Sequence, residues 1–62
     1  MIKERENYPL STWIIDLRDI IAKRDFIEKK EALLIIVEDI TEFLEMYEEG
    51  LLPQAAYKEM IE

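Results

Sequence analysis

Five glutamates, Glu31, Glu38, Glu42, Glu45 and Glu49, are the residues of this sequence whose type and spacing most invite a chemical reading. Projected on a helix at about 100° per residue from Leu33, they fall near 160°, 140°, 180°, 120° and 160°. They form one acidic ridge, with no basic side chain sharing it. Two carboxylates can act as acid and base only where burial separates their affinities for the proton, and this ridge is expected to lie in water. A metal site on Glu38, Glu42 and Glu45 would lack the mixed oxygen ligands and chelating loop that a hard cation requires.

The rest of the catalytic inventory is short. There is no histidine and no cysteine, which excludes the dyads and triads built on them and the common zinc constellations. One glycine in 62 residues leaves no glycine-rich phosphate loop. The sequence therefore reads as non-enzymatic, with no cofactor and no metal.

The ridge carries a cost. Glu38–Glu42, Glu42–Glu45 and Glu45–Glu49 are like-charge pairs at helical spacing, each unfavourable by about 0.2–0.5 kcal/mol. Glu48 and Glu49 also stand at the negative end of the helix dipole. Two explanations stay open: a solvated face that keeps the protein soluble, or a contact surface for a partner protein with a basic surface, including a nucleic-acid-binding protein engaged by charge mimicry.

Apolar candidates flank the ridge. Leu34 and Ile35 project outside the main apolar stripe of their helix on either side, and leaving both in water forfeits about 1.5–3 kcal/mol each. Burial against another chain would remove that penalty, which predicts a homo-oligomer, with a dimer favoured. Trp13, Phe43 and Tyr47 complete the set of apolar contacts to be weighed for this role, each with core anchoring as the competing reading.

The elements that must position these residues are helices. Leu10, Ile14, Leu17 and Ile21 recur at spacings of four, three and four, and Ser11 can serve as an N-cap with Leu10 and Ile15 as a hydrophobic staple, which predicts a helix over 11–24. Asp25 followed by Glu28 reads as a capping box that opens a second helix, 26–49, closed by Gly50; Asp25 also suits an ion pair with Lys29. One bent helix over 11–49 is the alternative. Leu33, Val37, Ile40, Leu44, Tyr47 and Leu51 alternate at four and three, a core seam on that helix. The apolar run 32–37 favours sheet by composition, yet charged flanks without turn residues make it helical. Pro53 starts a short helix over 53–61 that needs docking to be stable.

The fold class is therefore all-α: a helical hairpin with a short C-terminal helix folded over the second half of the long one, assembled into a homo-oligomeric bundle. It is one domain over 1–62, with residues 1–8 as a flexible arm. The net charge is −7. Residues 1–30 hold seven basic and six acidic side chains and residues 31–62 one basic and nine acidic, so the halves differ, +1 against −8. That balance argues against direct DNA binding and against anionic membranes. No apolar run approaches the length of a membrane span. A cytoplasmic regulator or inhibitor that acts by binding protein is the first reading, and a purely structural oligomer the second. A distant third is RNA binding by a hairpin dimer through Arg18, Lys23, Arg24, Lys29 and Lys30.

Overall fold

The computed structural model describes residues 4–60. Four helices follow one another: α1, Leu10–Asp25; α2, Lys29–Glu38; α3, Ile40–Glu49; and α4, Pro53–Met60. Among the described residues there is no strand, so the all-helical class holds. α1 and α2 pack as a hairpin, and α4 packs on α1.

The start of α1 differs from the expected cap. Pro9, with φ −58° and ψ 146°, precedes the helix, and the free N–H of Leu10 is taken by the Glu4 carboxylate at 3.3 Å. Ser11 lies inside the first turn, and Ile15, the expected staple partner, is exposed. The capping box is also corrected. α1 continues through Asp25, whose carboxylate accepts a hydrogen bond from the Tyr57 hydroxyl at 2.8 Å instead of capping a helix. Phe26 adopts a left-handed conformation, the N–H groups of Phe26 and Ile27 both bond the Ala22 carbonyl, and extended Glu28 precedes α2. Lys29 pairs with Asp19 at 3.7 Å.

The expected helix over 26–49 is two helices, broken at Asp39 with φ −116° and ψ 30°. Aspartate is a weak helix former, and nothing else in the local sequence marks this position. The C-terminal features stand closer to expectation. Gly50, φ +96°, closes α3 with a Schellman pair in which Gly50 N–H bonds Tyr47 and Leu51 N–H bonds Met46. Pro53 is the first residue of α4, which buries Ala56 and Tyr57 against α1 and not over α3.

The core is Trp13, Leu17 and Ile21 of α1, Ala32 and Ile36 of α2, Phe43 and Tyr47 of α3, with Ala56 and Tyr57 of α4. On α2 the buried line runs through Ala32 and Ile36, rotated by about 60–100° from the expected seam through Leu33 and Val37. Leu33 and Val37 are left 40% and 56% exposed.

The segment before α1 is not free over its described part. The Arg5 guanidinium donates to the carbonyls of Tyr47 and Leu51, at 2.5 and 2.7 Å through Nη2, and its backbone N–H donates to the Tyr47 hydroxyl at 2.8 Å. Tyr47 Oη in turn donates to the Tyr8 carbonyl. These contacts fall within the expected arm over 1–8; residues 1–3 lie outside the described residues.

Candidate functional site

The outer face of α2 and α3 gathers most of the residues singled out in the sequence. Glu31 and Glu38 lie on α2, Glu42, Glu45 and Glu49 on α3, and all five are exposed. Among the described residues no lysine or arginine lies within ion-pair distance of any of them; the two ion pairs found are Arg18–Asp19 and Lys29–Asp19. The five carboxylates therefore stand without ion-pair partners, two on α2 and three on α3, with the break at Asp39 between the two sets. Glu48 adds a further exposed carboxylate to the same helix.

An apolar patch adjoins it. Leu34 is 61% exposed, and with Leu33 and Val37 it places three branched side chains in solvent on one side of α2. Within α2, Leu34 and Glu38 are four residues apart and so share one face of the helix. Ile35 is half-buried against the core.

Trp13, Phe43 and Tyr47 are corrected as partner contacts, because each is fully buried within this chain. Trp13 meets Tyr47 edge-to-face with ring centroids 5.6 Å apart, and its indole N–H donates to the Leu51 carbonyl at 2.8 Å. Aromatic surface of that size has the largest gain from burial in a small core, and both polar tips find partners there.

No family model, characterised protein or solved structure matches this chain. Its reading rests on geometry. Among the described residues no three acidic side chains cluster closely enough to hold a metal ion, and no helix is long and apolar enough to cross a membrane.

Sequence reasoning missed Arg5. It sits at the C-terminal end of α3, with its charged carbon 4.6 Å from the Tyr47 ring centroid, and supplies the cation that the last turn of α3 lacks. Cations there satisfy orphan carbonyls and offset the dipole. It also answers part of the cost assigned to Glu48 and Glu49. No local pattern could reveal a cap that lies 42 residues away in the chain. Tyr8, beside it, donates its hydroxyl to the Asp16 carboxylate, and burial together with that carboxylate pushes its pKa up to about 12.

Proposed function

We propose that this protein is a non-enzymatic helical interaction module, a small cytoplasmic regulator that binds a larger protein carrying a basic, partly apolar surface. The observation that carries this reading is that Glu38, Glu42, Glu45 and Glu49 are exposed without ion-pair partners, on the same α2–α3 segment as exposed Leu34 and Val37. A fold of this size gains stability from mixed surface charge, so a row without lysines is better accounted for by what it meets than by what it supports. Carboxylates steer and orient a cationic partner, while the leucine and valine supply the desolvated contact that gives residence time.

The test is capture of a specific host protein on immobilised protein at low and high salt. Binding should be lost at high salt and in the variant with Glu38→Lys, Glu42→Lys and Glu45→Lys, whose helical content should equal that of the native chain. Retention of the same bound protein by the charge-reversed variant would sink the proposal.

A second reading is favoured by Leu33, Leu34 and Val37 alone: the patch covers itself against a second copy. Three side chains make a contact well under the roughly 1,200 Å² of a standard interface, so the dimer would be weak, with Kd above about 1 μM. Sedimentation across that range should then show association that Leu34→Glu abolishes, whereas a strictly monomeric protein would leave only the first reading.

A further inference from the structure

The turn between α1 and α2 carries an aromatic side chain where backbone geometry favours glycine. Phe26 holds φ +55°, in the left-handed region, and its side chain is 93% exposed. The helix end there is closed by the backbone N–H groups of Phe26 and Ile27, and glycine would make the same bonds without a Cβ penalty. Neither the backbone nor the core requires the phenyl ring.

The ring stands at one end of a depression of about 420 Å³ whose other walls are Ile20, Lys23, Arg24 and Gln54. Arg24 and Gln54 lead on into a neighbouring hollow of about 290 Å³ with Leu52 and Lys58, and Leu52 is itself 58% exposed. Towards Phe26 this face between α1 and α4 therefore combines apolar Ile20 and Leu52 with cationic Lys23, Arg24 and Lys58, on a protein of net charge −7, whereas its other end, towards Tyr8, is lined by Asp16 and Asp19. Lys23 has no carboxylate within ion-pair distance among the described residues, and the Arg24 guanidinium is oriented by lying 5.7 Å from the Tyr57 ring centroid.

We propose that this groove is a second docking site, taking an acidic peptide segment that bears a large apolar side chain. Carboxylates of the segment meet Lys23 and Arg24, and its apolar side chain packs between Phe26 and Ile20. Charge complementarity selects the occupant: the rim is basic where the rest of the surface repels acidic chains. A nucleic-acid strand is the poorer fit. Phe26 is the sole strongly exposed aromatic in the described chain, so successive bases have no stacking platform. The site faces a different partner from the acidic face and does not rest on it.

The full chain, isotope-labelled, would be titrated with a synthetic peptide of glutamates spaced by leucine and phenylalanine, with its lysine-for-glutamate counterpart, and with a generic RNA oligonucleotide. The acidic peptide should move the amide resonances of Ile20, Lys23, Arg24, Phe26 and Gln54. Phe26→Gly should weaken it by about tenfold, the loss of one well-packed anchor, while the chain stays folded. Phe26→Asn, which also tolerates the left-handed backbone, should behave alike, and Lys23→Glu with Arg24→Glu should shift preference to the lysine peptide. The proposal is overturned by silence of these resonances up to about 1 mM peptide, a Kd weaker than any useful contact. Unchanged affinity in both Phe26 variants, or RNA moving these resonances in place of the acidic peptide, overturns it equally.

Discussion

Arg5 shows how a single residue can join parts of a small fold. Its side chain bonds the carbonyls of Tyr47 and Leu51, so it ties the segment before α1 to the end of α3 and to the connection leading into α4. Arg5→Ala leaves those carbonyls without the charged donor, and a loss of about 1.5–3 kcal/mol in urea unfolding is expected. Arg5→Lys should recover little, because one ammonium cannot reproduce the planar fork that reaches both carbonyls. Tyr8 gives a pH signature at the same end of the molecule. Its pKa rises from 10.0 to about 12 in the fold, chiefly through burial and then through Asp16, so the folded state holds its proton more tightly than the unfolded chain. That contribution is complete below about pH 10 and is lost as pH climbs towards about 12. The native protein should therefore lose stability across that window more steeply than Tyr8→Phe, followed by unfolding midpoints at each pH; parallel curves would show that Tyr8 is not linked to folding.

At the scale of the elements, the two left-handed positions make a paired prediction. Gly50, at φ +96°, has nothing within 4 Å of where a Cβ would stand, so Gly50→Ala tests conformation without sterics and should cost about 1 kcal/mol. Phe26→Gly, at φ +55°, should leave stability within about 1 kcal/mol of native, relief of the backbone being set against a more flexible unfolded chain. These ends also mark what the sequence discloses. Gly50 and Pro53 were legible because each residue has one strong local preference, and the helical period of α1 was legible because Leu10, Leu17 and Ile21 repeat it. The end of α1 near residue 24 was legible to within one residue, although Asp25 bonds Tyr57 and caps no second helix. The break at Asp39 was not, since tertiary contacts decide it: α3 turns Phe43 and Tyr47 into the core with Trp13. The buried stripe of α2 was misplaced for a related reason. Apolar size points to Leu33 and Val37, whereas the line that faces the other helices is Ala32 and Ile36. Of the candidate site, the five glutamates are exposed as the helical spacing predicts, and of the two readings open for Trp13, Phe43 and Tyr47 the core one is where the structure places them.

For the molecule as a whole, the distribution of charge makes stability and binding pull in opposite directions. Residues 31–62 carry nine acidic side chains and one basic, and the described glutamates of α2 and α3 have no lysine or arginine within ion-pair distance. Their mutual repulsion acts over distances comparable to the Debye length of about 10 Å at 0.1 M salt, so added salt should relieve it. Raising sodium chloride from about 0.02 M to about 0.5 M is expected to raise the melting temperature by a few degrees, since a relief of about 1 kcal/mol shifts a domain of this size by about 4–8 °C. The triple variant Glu42→Gln, Glu45→Gln, Glu49→Gln should melt higher than the native chain at low salt and respond little to added salt. The same variant should lose salt-sensitive capture of the basic partner. A solubility face and a binding face part company at this point: both predict the stability gain, but only a binding face predicts that the more stable protein binds less. If the neutralised variant is more stable and captures its partner undiminished, the glutamates serve solubility, and the interaction must be sought on the apolar patch of α2 or in the basic groove beside Phe26.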